Sequence, residues 1–298
     1  MSENSFQSFS VKHKQMFEEV LYKSLEKLSS PHSLLEAMNY SLQAGGKRLR
    51  PLLLFATLYG FKKNPVLGLQ VATSLEMVHT YSLIHDDLPS MDDDDLRRGK
   101  PTNHKVFGEA HAVLAGDALL TYSFQLLADL NHEEITNEMK IKLIKLLSVS
   151  AGPEGMVGGQ IADLEGENQS LSINELEYIH TRKTGRLLEY SILAGAILAN
   201  ATDQQINHLR GFAHHLGLAF QIRDDILDVE GTEEEIGKPV GSDENNHKST
   251  YPALLTLDGA KRKLAEHINL AKQSLSLVEN MDQSYLEDIC NLIAERNN

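Results

Sequence analysis

The sequence predicts an all-α protein, read as a single-domain helical bundle over residues 1–298. Three observations predict it. Apolar residues recur at helical spacing along most of the chain. Proline and glycine are sparse within those stretches, so little interrupts them. Apolar content is 41%, ordinary for a soluble globular chain long enough to bury a large core. A net charge of −14 argues against nonspecific nucleic-acid binding. Cys290 is the only cysteine, so no intrachain disulfide can form. Met1 to Ser10 is polar and carries no apolar signal segment, and no apolar run approaches the ~18 residues a transmembrane helix needs.

The first helix is expected from about Phe6 to Leu28, with Phe17, Val20, Leu21, Leu25 and Leu28 at helical spacing and Ser29-Ser30-Pro31 after it. A second should run from Ser33 to about Ala44. Then comes Gly45-Gly46-Lys47-Arg48-Leu49-Arg50-Pro51, where a glycine pair lets backbone approach a ligand and Pro51 suits the first turn of a helix. This stretch reads as a surface loop or as an anion site. It is not a P-loop, since Ser41 stands where that motif needs glycine and Arg48 where it needs Ser or Thr. A long helix is expected from about Pro65 to Leu88. On it His79, Ser82 and Asp86 share one stripe.

Six carboxylates follow within ten residues, Asp86, Asp87 and Asp92 to Asp95, with Arg97 and Arg98 next. Carboxylates this close repel one another unless a strong cation sits among them. Mg²⁺ takes such oxygen ligands together with substrate phosphates, and arginine suits the phosphates. Asp92 lies six residues past Asp86, on the wrong side of a regular helix. The two meet only if the chain leaves the helix near Pro89 and curls back. His85 is read as structural.

Further helices are expected over about Lys105–Leu130, rich in small residues that permit close packing, and over Ile135–Ser150. Gln160 and Asp163 should share a face of the helix that begins at Met156. Ser172 with Glu175 makes a capping-box signature, and Lys183-Thr184-Gly185 should kink or break the pattern. Arg186–Asn200 reads as a core helix. Ala201–Val229, as one or two helices, ends in a second acidic motif, Asp224-Asp225-Ile226-Leu227-Asp228. There Asp224, Asp228 and Gln221 share a stripe. Thr232–Ser249 is expected as a long polar binding loop, and the chain from Tyr251 onward as helix. Two acidic motifs at helix ends with three basic clusters describe a pocket for metals and phosphates. The apolar helix faces between them suit a cavity for a hydrocarbon tail.

These motifs make the chain resemble the trans-isoprenyl diphosphate synthases, most closely their bacterial, farnesyl-forming branch. The resemblance runs from about Ser33 through Pro252. It rests on the Gly45–Pro51 stretch, Asp86-Asp87 to Asp92 with Arg97-Arg98, Gly159-Gln160 with Asp163, Lys183-Thr184, and Asp224-Asp225 to Asp228 with Gly237-Lys238. It implies an all-helical bundle around a central cavity, a cytoplasmic homodimer, and three Mg²⁺ per active site with substrate bound. The implied reaction joins isopentenyl diphosphate to dimethylallyl and then geranyl diphosphate, by ionisation, condensation and proton loss. It implies metal binding by Asp86, Asp92 and Asp224, helped by Asp87 and Asp228. Gly46, Lys47, Arg50, His79 and Arg98 would hold isopentenyl diphosphate, and Arg97, Lys183 and Lys238 the allylic diphosphate. Thr184 and Gln221 would set oxygen dipoles near the developing cation. Tyr81 and Ser82 would limit chain length, although on spacing alone Tyr81 reads equally as a packed core residue. The competing expectations are a geranyl or geranylgeranyl synthase, a terpene cyclase, a silent regulatory subunit, and a plain Ca²⁺-binding module. A cyclase would carry an Asn/Ser/Glu second motif, a silent subunit would have lost the acidic motifs, and no EF-hand spacing is present.

Overall fold

The computed structural model describes residues 5–231 and 249–296, and it is helical almost throughout. Contacts divide the chain into two compact units. The first comprises Met1–Phe55 with Asn64–Ile144, the second Ala56–Lys63 with Lys145–Asn298.

In the first unit, α1 (Phe6–Lys23) starts at Ser5, whose side chain accepts from the Ser8 N–H. It ends about a turn short of the expected Leu28. α2 (His32–Leu42) and α3 (Leu49–Gly60, whose residues up to Phe55 belong to this unit) flank the glycine loop, and Pro51 does sit in the first turn of α3. Asn64 and Pro65 start a 3₁₀ turn, Pro65–Gly68, which leads into α4 (Leu69–Asp86). α4 is buried over Val71–Val78 and again at Thr80, Tyr81 and Ile84. A helix buried around its whole circumference belongs at the centre of a core. It packs on α6 (Glu109–Ala128), where the Ser74 hydroxyl donates to the Ser123 carbonyl at 2.8 Å.

The small residues of α6 are what permit this approach. A Cβ added to Gly116 would lie 2.1 Å from His85 Nε2. That nitrogen instead donates to the Val113 carbonyl at 3.0 Å, so His85 is a packing residue, as expected. The helix expected over Lys105–Leu130 is two. α5 (Asn103–Phe107) and α6 are separated by Gly108 at φ 86°, a left-handed conformation that breaks helical hydrogen bonding. A hairpin of two-residue strands, β1 (Leu96–Arg97) and β2 (Lys100–Pro101), was not foreseen. Its turn residues Arg98 and Gly99 both have positive φ, the geometry of a tight hairpin turn.

α7 (Asn137–Ala151) contains the division at Ile144–Lys145, and the second unit goes on with α8 (Met156–Gly166), α9 (Ile173–His180), α10 (Arg186–Leu198) and α11 (Asp203–Glu230). After the gap in description come α12 (Tyr251–Leu255), α13 (Leu257–Ser276) and α14 (Ser284–Glu295). The Ser172–Glu175 capping box forms as the sequence predicts, and Thr202 with Gln205 forms another. Between α9 and α10 the chain makes one π turn, Thr181–Gly185, where a kink was expected. Single π turns of this kind are rare and recur at functional sites. α11 packs along α13, and α10 supplies an almost wholly buried wall of Leu187, Tyr190, Ile192 and Leu193.

Candidate active site

The first acidic motif is shaped by how α4 ends. The helix stops at Asp86, two residues before the expected Leu88 and three before Pro89. The chain then folds back, and the Asp92 N–H donates to the Asp86 carbonyl at 2.9 Å while that of Asp93 reaches Leu88. This return brings the Asp86 and Asp92 backbones side by side, which the sequence required for a shared metal. Asp87 is different. It is buried, and Arg97 grips its carboxylate through Nε at 2.9 Å and through a second guanidinium nitrogen. Burial raises the Asp87 pKa, with Arg97 opposing. Arg97 also reaches Asp94 at 3.1 Å. Asp95 pairs with Lys105 on the surface.

The basic residues of this unit gather around the glycine loop. Gly45 and Gly46 have φ of 88° and 131°. A Cβ on Gly46 would meet the Arg98 guanidinium at 2.8 Å. Arg98 donates to the Gly45 carbonyl, and Lys14 Nζ donates to that of Gly46 at 2.9 Å. Glycine is needed here so that a cation can lie against the backbone. Arg48 is fully employed. It donates to Glu76 at 2.6 Å, to Glu18 at 3.1 Å and to the Leu42 carbonyl at 2.8 Å. Arg50 is not so employed, since its Nε is buried without a partner. Burial, with Arg98 nearby, lowers the Arg50 pKa to about 10, so it stays cationic at neutral pH. Burial and the charges of Arg50, Arg98, Arg48 and Arg97 drive the His79 pKa well below its ordinary value. A cluster that suppresses further positive charge, with an unsatisfied buried donor, is suited to a dianion or trianion. Lys47 is exposed beside it. The Ser82 hydroxyl donates back to the His79 carbonyl at 2.9 Å. Tyr81 is buried with its ring edge-on to His85, centroids 5.7 Å apart, and burial with Asp86 nearby pushes its hydroxyl up to about 12.

In the second unit the π turn presents Lys183 and Thr184. Lys183 Nζ donates to Asp163 Oδ2 on α8 at 2.6 Å. Gly159 lets α8 come this close, because a Cβ there would lie 2.2 Å from the Lys183 backbone nitrogen. Gln160 and Asp163 do not bond each other as a pair would. Asp163 faces Lys183, and Gln160 Nε2 is buried without a partner. On α11, Asp224 and Asp228 share the expected i, i+4 face. Asp225 lies off it, buried, accepting the Tyr251 N–H at 2.9 Å with His180 Nε2 at 3.8 Å. Gln221 Nε2 lies 3.4 Å from His180 Nδ1. Asp224 is ion-paired with Arg296, one residue beyond α14. Lys238 lies outside the described residues.

The donor sets fit a divalent cation on one observation above all: a guanidinium already stands against the Asp224 carboxylate, as a cation would. Among the described residues no three His, Cys, Asp or Glu side chains converge to hold a metal by themselves. Sequence reasoning missed Arg48, Glu76, Glu18, His180, Tyr251 and Arg296. Glu76 alone carried a signal, a carboxylate amid Leu75, Met77 and Val78 that demands a buried partner.

Known proteins resemble this chain along most of its length. Residues 31–286 match the Polyprenyl synthetase family. The chain is 57% identical over 296 residues to farnesyl diphosphate synthase from Geobacillus stearothermophilus, covering 99% of each chain. It is 46% identical to chloroplastic geranylgeranyl pyrophosphate synthase from Capsicum annuum, covering 91% of this chain and 73% of that one. Among solved structures, the apo FPP/GFPP synthase from Zymomonas mobilis aligns with a TM-score of 0.84 at 34% identity, covering 97% of this chain and 98% of that one. Among the described residues no helix is long and apolar enough to cross a membrane. With a family match over most of its length and relatives that align from end to end, the chain belongs to the polyprenyl synthetase family.

Proposed function

We propose that this chain is a Mg²⁺-dependent prenyltransferase that makes farnesyl diphosphate from isopentenyl and dimethylallyl diphosphates, through geranyl diphosphate. The observation that carries the reading is its end-to-end identity with a relative named farnesyl diphosphate synthase. The desolvated Arg50–His79–Arg98 cluster and the two acidic motifs support it. In the reaction the allylic C–O bond breaks, and its electron pair leaves with diphosphate. The double bond of isopentenyl diphosphate attacks the resulting cation, and a proton is then lost.

Asp86 and Asp92 would hold metal at the first motif and Asp224 and Asp228 at the second, with Asp87 steadying the first motif through Arg97. Bound there, Mg²⁺ supplies positive charge that stabilises the departing diphosphate. Arg50, with its open donor, Lys47, His79 and Arg98 would grip the diphosphate of isopentenyl diphosphate, with Gly46 leaving the space. Arg97, Lys183 and Lys238 would hold the allylic diphosphate. Thr184 and Gln221 offer neutral oxygens, which stabilise a carbocation without capturing it. Tyr81 and Ser82 would set product length. A cytoplasmic homodimer with three Mg²⁺ per loaded site belongs to the same reading.

The test is to incubate the purified chain with both five-carbon diphosphates and Mg²⁺ and to resolve the products by chromatography. The fifteen-carbon diphosphate is expected, abolished by chelator and restored by Mg²⁺. The likeness to a geranylgeranyl synthase favours a twenty-carbon product as the second reading, and the same chromatogram decides between them. No condensation would overturn both. Arg50→Ala tests the assignment of the basic cluster. Loss of a charge-assisted contact worth about 1.5–3 kcal/mol should raise KM for isopentenyl diphosphate about ten- to hundred-fold, with far less effect on the allylic substrate.

A further inference from the structure

Arg296, just past α14, lies on the second acidic motif. α14 is anchored by Tyr285, Leu286, Ile289, Cys290 and Ile293, all buried, so the residue that follows it has a fixed position. That residue, Arg296, makes three contacts with α11. Its guanidinium pairs with the Asp224 carboxylate and stands 4.7 Å from the centroid of the Phe220 ring. Its carbonyl accepts from Arg223 Nε at 2.6 Å. The Arg296 side chain is only 12% exposed, and its Nε is buried with no partner of its own. Arginine side chains are mostly solvated. This one is held in place, against the carboxylate that the family reading gives to a metal.

We propose that Arg296 is a resident counter-cation for Asp224, which a divalent metal must displace, so that Arg296 sets how tightly the second acidic motif binds metal. The proposal rests on the reading of Asp224 as a metal ligand. The physical grounds are direct. Asp224 and Asp228 share a face of α11 and repel when neither is neutralised. Arg296 relieves that repulsion in the metal-free protein. A guanidinium and a divalent ion on one carboxylate repel each other at close range, so binding of one weakens binding of the other. Metal affinity at Asp224 is therefore reduced by whatever holds Arg296 there. Because the arginine is tethered one residue past a well-anchored helix, it leaves the carboxylate without any part of α11 or α14 having to move.

The experiment titrates Mn²⁺, with no substrate present, into the full chain and into Arg296→Gln, Arg296→Lys and Asp224→Asn. Free Mn²⁺ is read by electron paramagnetic resonance, and circular dichroism confirms the helical content of each variant. Arg296→Gln should bind Mn²⁺ about tenfold or more tightly than wild type, the scale of one charge-assisted contact removed. Arg296→Lys, which keeps the charge, should stay near wild type. The gain should vanish in the Arg296→Gln/Asp224→Asn double variant. If Asp224→Asn loses Mn²⁺ while Arg296→Gln binds no tighter than wild type, the proposal is overturned and the metal reading of α11 stands. If Asp224→Asn binds Mn²⁺ as wild type does, the metal reading itself fails and the proposal with it.

Discussion

The two acidic motifs look alike in sequence and are built differently. Each opens with an Asp doublet, and in each the second member is buried and structurally bonded: Asp87 to Arg97, Asp225 to the Tyr251 N–H. The first members, Asp86 and Asp224, are the ones left less buried. There the likeness ends. The first motif terminates a helix, and its third carboxylate returns only because the loop folds back onto the Asp86 carbonyl. The second lies within a helix that continues to Glu230, so periodicity alone aligns Asp224 with Asp228. Their counter-cations differ as well. Arg97 is ten residues from Asp87, within the same loop, whereas Arg296 reaches Asp224 from just past α14. A local counter-cation is part of the loop's own fold. A remote one depends on tertiary packing, here the seating of α14.

The largest expected effect tests whether the two motifs do the same work despite this. Asp86→Ala and Asp224→Ala should each lower kcat by about a hundred- to a thousand-fold or more, the scale of removing charge stabilisation from a transition state. Steady-state kinetics at saturating Mg²⁺ checks this. Near-normal turnover in one variant alone would show that the motifs are not equivalent and that the metal assignment fails at that end.

The doublets sharpen the comparison at a smaller scale. Replacing the second member should affect folding in both motifs. Asp87→Asn weakens a buried, charge-assisted pair worth about 1.5–3 kcal/mol. Asp225→Asn weakens the bond that seats the start of α12. Both should lower the thermal unfolding midpoint by several degrees. Mn²⁺ affinity should fall less than in Asp86→Asn or Asp224→Asn. If Asp87→Asn instead leaves the midpoint unchanged and loses Mn²⁺, Asp87 is a metal ligand and the parallel with Asp225 is false.

Periodic features of this chain were legible in its sequence, and features made by distant contacts were not. The helical stripe of Gln221, Asp224 and Asp228 follows from 3.6 residues per turn, and the Ser172–Glu175 box from three residues' spacing. The return of Asp92 was legible only as a condition, because spacing excludes a regular helix without specifying the loop that replaces it. The glycine pair signalled close approach, but not that Arg98, from more than fifty residues on, would be what approaches. Arg48 stood in a visibly basic run, yet nothing local distinguishes it from Lys47 or Arg50. Its role is fixed by Glu76 and Glu18 on other helices. Arg296 is beyond any spacing rule, since its partner lies 72 residues earlier. The hairpin at Arg97–Arg98 is too short to show alternation, and the π turn differs from a kink by a single residue of hydrogen-bond register.

The smallest expected effect, one five-carbon unit, concerns what lies on each helix below the first Asp. Five residues before Asp86, about 7.5 Å down the axis at 1.5 Å per residue, stands Tyr81; five before Asp224 stands Ala219. Both are buried, so the two helices differ at this depth by the whole bulk of a phenol. The Tyr81 ring lies edge-on to His85, and His85 is locked to the Val113 carbonyl, so the ring has a firm support behind it. A growing chain that gained one more unit would bury up to about 4 kcal/mol of apolar surface, at ~0.8 kcal/mol per CH₂. Forcing it against a supported ring costs about 1–3 kcal/mol or more, and a ring that cannot yield cancels the gain. Wild type is therefore expected to stop at fifteen carbons. Tyr81→Ala makes the first helix resemble the second at this depth and should release twenty-carbon or longer diphosphates, read by chromatography of the dephosphorylated products. His85 and Gly116 keep their contact in that variant, so α4 and α6 remain packed. An active Tyr81→Ala enzyme that still yields only the fifteen-carbon product would show that the ring is core packing alone, and that the difference between the two helices at this depth does not set product length.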